Sequence, residues 1–272
     1  MKDRANPRNR TGFGSLVSAR NQRTTQVSQD AMDADGSGLG LFTKKDTLTT
    51  RSKRLLTTAL RADPTYVERT RPDGTRVLNE VNTFKIDNIN ATQSDFSRLK
   101  GTEWLTDNIM SMFLRVSVQD AVARTFCYTS HFFSCALSET GNNVMYDHSR
   151  VKKWSDYIDE GLFNLDQLFI PINVDNGTHW IFIRVQFESK SIELYDSHGS
   201  VNPERQRYLW AMRRYLYDEK YKEVALDDRP DFDVWKYTWT TQDKSRDSPK
   251  QENTFDCGTF VMISIYLIAR GV

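Results

Sequence analysis

The chain has 272 residues, 38% of them hydrophobic, and a net charge of +1. That length suits one ordinary domain with an extension, and the near-neutral balance gives no reason to expect a nucleic-acid or membrane-surface partner. Three cysteines, Cys127, Cys135 and Cys257, are too few for a secreted disulfide framework, so a reducing, intracellular setting is expected.

The overall balance hides an asymmetry. Residues 1–80 carry 15 Lys/Arg against 9 Asp/Glu, net +6, whereas the remainder carries 22 against 27, net −5. With little sustained apolar periodicity, residues 1–80 read as a disordered basic arm whose best local helix is Thr47–Leu60, and residues 81–272 as one folded domain. Lys44-Lys45 and Arg51-Ser52-Lys53-Arg54 suit a nuclear or nucleocytoplasmic address, although solvated tail charge is the plainer reading. The first 15 residues have no apolar run and predict no signal peptide. The longest apolar run, Phe260 to Ala269, is interrupted by Ser264 and falls short of the ~20 residues a bilayer needs, so a buried helix is expected.

Order is expected to begin near Val77–Ile89. Thr106 reads as an N-cap opening a helix through Ile109, Met112, Phe113 and Val116. Val151, Trp154 and Ile158 suggest another short helix. Strands follow at Asp166–Asn173, His179–Phe187 and Ser191–Asp196, the last two joined by a turn at Glu188–Lys190. Asn202 followed by Pro203 opens a helix with Leu209, Met212 and Leu216 on one face. Trp235, Tyr237 and Trp239 alternate with Lys236 and Thr238 and predict a strand; a final apolar helix begins near Cys257. Strands clustered between helices predict an α+β fold.

Thiol-based hydrolysis needs a thiolate, a base, a group that orients the base, and donors for the oxyanion. Cys257 stands at the start of the last helix, where unpaired N–H groups and the helix dipole favour an anion; Gly258 beside it leaves room for a substrate backbone. His179 opens one strand and Asp196 ends the next, so a hairpin brings them to the same edge. Gln251, six residues before Cys257, can aim a neutral amide at a carbonyl oxygen. Taken singly, each has a blander reading: a buried cysteine, a strand histidine, a turn aspartate, a loop glutamine.

In combination, His179-Trp180, Tyr195-Asp196-Ser197 and Gln251-x-Asn253-x-x-Asp256-Cys257-Gly258 resemble the SUMO-specific (Ulp/SENP-type) proteases, a family shared with deneddylases and more distantly with adenovirus protease. The 17-residue step from His179 to Asp196 suits the family's strand-turn-strand unit, Trp104-Leu-Thr-Asp107-Asn108 is similar to its Trp-Leu-Asn-Asp segment, and Leu168–Asn173 to the strand before its histidine. The resemblance covers about residues 85–270 and implies a papain-like or adenain-like domain, a central mixed sheet flanked by helices. It implies His179, Asp196 and Cys257 as the triad and Gln251 as the oxyanion donor. Trp104 and Trp180 would form a tunnel around a Gly-Gly tail, with Asp107 contacting a basic residue beside that tail. The implied activity is cleavage after the C-terminal Gly-Gly of a ubiquitin-like modifier, SUMO foremost, by a monomer with no cofactor. Only 15 residues follow Cys257 (272 − 257), so the domain is expected to be shortened at its C-terminus relative to the family.

Three other readings are weighed. The same fold can act on the neddylation modifier or on ubiquitin, since all end in Gly-Gly. It can also serve as an inactive modifier-binding module, against which stand all four chemical residues. Cys127, His131 and Cys135, spaced four apart, offer three metal ligands on one helical face, but an aromatic-rich stretch without a fourth ligand reads better as core.

Overall fold

The computed structural model describes residues 66–272, apart from residue 73 and the pairs 81–82, 87–88 and 141–142. The Thr47–Leu60 helix expected from the sequence lies outside these residues.

Side chains of a strand alternate between faces, and two central strands here are apolar on both. Strand β8 (Gln167–Val174) sends Leu168, Ile170 and Ile172 into one core and Phe169 into another; β9 (His179–Gln186) sends Ile181, Ile183 and Val185 to the first and Trp180 and Phe182 to the second. Such strands must be covered on both sides. With β5 (Thr125–Cys127), β10 (Ser191–Tyr195) and β11 (Thr240–Asp243) they form a five-stranded mixed sheet, order β11-β10-β9-β8-β5. The β5–β8 and β10–β11 pairs are parallel; β8–β9 and β9–β10 are antiparallel. Helix α4 (Gln206–Lys220) covers the first face with Leu209, Met212 and Leu216, while α2 (Asp107–Ser117) and α6 (Cys257–Ala269) cover the second. The fold is α+β, as expected. Among the described residues, no helix is long and apolar enough to cross a membrane.

Smaller elements precede the sheet. Among the described residues, strands β1 (Tyr66–Thr70) and β2 (Arg76–Glu80) pair only with each other, as do β3 (Thr83–Ile86) and β4 (Ile89–Thr92). Regular structure therefore starts upstream of Val77. A short α1 (Gln93–Ser97) follows, and α3 (His131–Ala136) leads into the hairpin β6 (Leu137–Thr140) and β7 (Asn143–Tyr146).

Local signals explain most boundaries. Thr106 caps α2 by accepting from the Ile109 N–H, and Asn202 accepts from the Glu204 N–H to open a 3₁₀ turn that continues as α4. Two expectations are corrected. The segment around Val151, Trp154 and Ile158 forms 3₁₀ turns at His148–Arg150 and Ser155–Tyr157, not an α-helix. The alternating Trp235–Trp239 segment is not a strand: Asp231 caps a short helix α5 (Phe232–Trp235) by accepting from the Asp233 N–H, and a 3₁₀ turn carries the chain to β11. Tyr237 is exposed while Trp239, just after the turn, is buried, so the alternating residues do not share one buried face.

Candidate active site

Cys257 is the first residue of α6 and is completely buried. Its N-cap, Asp256, makes no side-chain cap hydrogen bond, because its carboxylate accepts instead from Asn253 Nδ2 at 2.5 Å. The first N–H groups of α6 receive no cap from it, which suits an anion at this helix start. The expectation for Gly258 is corrected. A Cβ there would lie 3.1 Å from Leu105 Cδ1 and 3.2 Å from Trp180 Cδ1, so the glycine admits its own neighbours, not a substrate.

His179 owes its place to the loop before it. Asp175, Asn176 and Gly177 take left-handed φ values of 54°, 56° and 91°, reversing the chain so that His179 pairs with Val174 across β8–β9. Asp, Asn and Gly tolerate that region best. Arg205, itself buried, pins the loop by donating to Asp175 Oδ2 at 2.6 Å. Across the β9–β10 hairpin, Tyr195 pairs with Phe182 and their rings stack at 4.6 Å, delivering Asp196 to the edge where His179 emerges.

The imidazole Nε2 lies 2.7 Å from Asp196 Oδ1, and both side chains are 4% exposed. Asp196 Oδ1 also accepts the backbone N–H of His198 at 2.9 Å. The Cys257 thiol lies close enough to the imidazole to favour its protonated form. With Nε2 engaged by the carboxylate, Nδ1 remains for the sulfur. Burial alone draws His179 down, but the hydrogen bond to Asp196 and the nearby Cys257 outweigh it and His179 is pushed up to about 9. Burial opposes ionisation of Asp196 as well, yet the His179 and His198 hydrogen bonds hold its carboxyl below the usual value. The couple thus favours the protonated imidazole, the form reached when the sulfur gives up its proton.

His198, unremarked in the sequence reading, stacks on His179 with centroids 3.8 Å apart and planes 13° from parallel. Burial, then the charge of His179, lower its proton affinity. His179, Asp196 and His198 hold their ligand atoms within 4.8 Å of one another, the only such metal-capable group among the described residues. A proton bound tightly at His179 competes with any metal there, and the aspartate–histidine hydrogen bond accounts for the cluster. Cys127 sits on β5 while His131 and Cys135 sit on α3, so the three do not share a helical face.

Gln251 is held on three sides. Its backbone N–H donates to the Ser197 carbonyl at 3.0 Å, its Oε1 accepts from Ser197 Oγ at 2.6 Å, and its Nε2 donates to the Asn253 carbonyl at 2.6 Å. Asn253 Oδ1 accepts the N–H groups of Phe255 and Asp256, which shapes the loop into Cys257. An asparagine two to three residues before such N–H groups is a turn signal; Ser197 stands in the sequence only as part of the Tyr195-Asp196-Ser197 motif, with no role of its own, and His198 carries no signal beyond its nearness to Asp196.

Trp104 is 41% exposed, and its Nε1 donates to the Thr254 carbonyl at 2.8 Å, tying the indole to the cysteine loop. Trp180 is fully buried; its Nε1 donates to the Leu105 carbonyl at 3.1 Å. Asp107, the first residue of α2, accepts a short hydrogen bond from Ser130 Oγ.

A thiol at a helix start, an imidazole on the adjacent strand and a carboxylate behind it form the kind of arrangement that thiol-based hydrolysis requires. Residues 103–272 match the Ulp1 protease family, C-terminal catalytic domain, and the chain belongs to that family. Ubiquitin-like-specific protease 1A of Arabidopsis thaliana is 28% identical over 200 residues, which is 70% of this chain and 36% of that protein. Sentrin-specific protease 3 of Homo sapiens is 30% identical over 171 residues, 63% of this chain and 26% of that protein. The chain thus spans well under half of these relatives. The solved C-terminal Ulp1 protease domain in complex with Smt3, the yeast ortholog of SUMO, has a TM-score of 0.58 at 22% identity, covering 84% of this chain and 87% of that one, a likeness of fold.

Proposed function

We propose that this protein is a cysteine protease that cleaves after the C-terminal Gly-Gly of SUMO, in its precursor or its conjugates. The buried Asp196–His179 couple beside Cys257 carries the reading, because it supplies the base and the group that orients it next to the nucleophile. Cys257 Sγ gives its proton to His179 Nδ1 and attacks the terminal glycine carbonyl. The oxyanion accepts from the Cys257 backbone N–H and Gln251 Nε2. His179 then protonates the leaving amine, and water, activated by the same imidazole, hydrolyses the thioester. Trp104 lies over the tail as a flat lid that excludes a side chain, Trp180 shapes the floor through Leu105 and Gly258, and Asp107 meets a basic residue at the mouth.

Residues 1–80 serve location, nuclear or nucleocytoplasmic, and not chemistry, since no proposed catalytic group lies there. Electrophilic probes built on SUMO, the neddylation modifier and ubiquitin test the substrate. SUMO is expected to label fastest, at Cys257 by peptide mapping, and Cys257→Ala to abolish both labelling and hydrolysis. Preferential labelling by another modifier reassigns the substrate; hydrolysis surviving in Cys257→Ala sinks the triad.

A further inference from the structure

A carboxamide has an accepting end and a donating end, and a half-turn exchanges them. The surroundings of Gln251 decide which way it points. The Asn253 carbonyl, 2.6 Å away, has no proton to give, so the amide nitrogen must face it. The oxygen then faces Ser197 Oγ at 2.6 Å, and that hydroxyl must donate. Ser197 is buried, and its own carbonyl also accepts the Gln251 backbone N–H at 3.0 Å, so one residue grips the glutamine at both ends. Nε2 carries two protons; Asn253 takes one and a single proton is left to present.

We infer that Ser197 is a positioning residue for the oxyanion site: its hydroxyl fixes the rotation of the Gln251 carboxamide so that the remaining Nε2 proton is presented to the reacting carbonyl. Ser197 directly follows Asp196, so one turn at the end of β10 orients both the general base and the oxyanion donor. The inference rests on the reading of Gln251 as that donor. Without the hydroxyl, Oε1 loses the one side-chain donor that reaches it among the described residues, and the amide is free to tilt about the Asn253 bond.

The test is a double-mutant cycle on the full chain with a Gly-Gly-terminated SUMO substrate. Loss of one neutral hydrogen bond predicts that Ser197→Ala lowers kcat about threefold to tenfold with KM unchanged. Ser197→Thr, which keeps a hydroxyl, restores kcat, and Ser197→Ala has no further effect in a Gln251→Ala background. A merely structural role multiplies the two losses instead. The side-chain ¹⁵N–¹H pair of Gln251, identified by its loss in Gln251→Ala, gives a second readout independent of whether Ser197→Ala folds. In the unsubstituted protein the Nε2 proton bound to the Asn253 carbonyl is expected to exchange with solvent markedly more slowly than its partner. Two protons that exchange with solvent equally fast overturn the inference, as do multiplicative losses, or an unaffected Ser197→Ala beside an impaired Gln251→Ala; in each case the oxyanion reading stands. Undiminished kcat in Gln251→Ala removes the oxyanion reading itself and the inference with it.

Discussion

Replacing Asp196 by asparagine keeps the shape of the side chain and removes its charge. Oδ1 alone accepts from both His179 Nε2 and the backbone N–H of His198. The amide oxygen of asparagine can occupy that position and keep both bonds, because the backbone N–H repels the donating end. The imidazole therefore keeps its proton on Nε2, and Nδ1 stays available to the sulfur. In a Ser-His-Asp triad the same change selects the wrong tautomer and drops kcat about 10⁴-fold; here the loss reduces to the charge. A hydrogen bond to a charged group contributes about 1.5–3 kcal/mol and a neutral one at least about 0.5, a difference of about 1–2.5 kcal/mol. At about 1.36 kcal/mol per decade, kcat/KM is expected to fall about fivefold to seventyfold. The pH profile gives the second signature. His179 is raised from 6.5 to about 9, so its contribution to stability is complete below pH 6.5 and is lost as pH rises through about 9; activity requiring its proton falls on the same limb. Asp196, held below its usual value, contributes above the carboxylate range and loses that contribution on acidification. In Asp196→Asn burial of the imidazole remains while its charged partner is gone, so the alkaline limb moves to lower pH. The assay is steady-state cleavage of a fluorogenic SUMO precursor from mildly acidic to strongly alkaline pH. A loss near 10⁴, or an alkaline limb that does not move, refutes the argument.

Trp104→Ala removes both a flat face and the N–H bond to Thr254, whereas Trp104→Phe removes only the bond, about 0.5–1.5 kcal/mol. The alanine variant should lose far more kcat/KM than the phenylalanine one; equal losses mean that the tether matters and the lid does not. Asp107→Arg should raise KM and weaken the salt dependence of association, with about 0.3–1 kcal/mol lost from the helix start, while Asp107→Asn still accepts from Ser130; unaltered KM in the arginine variant removes Asp107 from the interface. Gly258→Ala should lower the melting temperature by the equivalent of about 1–3 kcal/mol, because its methyl group meets Leu105 and Trp180. An unchanged melt shows that those side chains yield freely.

What the sequence determines here is local chemistry and period. Thr106 and Asn202 are caps because their side chains reach N–H groups two or three residues on, and β8 and β9 are strands because they are dominated by branched and aromatic residues. The candidate triad was legible for the same reason: an aspartate ending one strand and a histidine starting its neighbour meet whenever the hairpin forms, and a cysteine opening a helix always faces unpaired N–H groups. Tertiary structure decided what depends on distant partners. The Trp235–Trp239 alternation mimics a strand, but those rings pack on α4 and on Phe187 from a helical turn. Gly258 and Trp180 are explained by Leu105, about 150 and 75 residues away along the chain, a contact that no window of sequence contains. The grip of Ser197 on Gln251 spans 54 residues, and the stacking of His198 on His179 depends on how a turn after β10 folds back over the sheet edge. Propensity acts over a few residues, whereas orientation at the site is fixed by packing between segments that meet only when the sheet is complete.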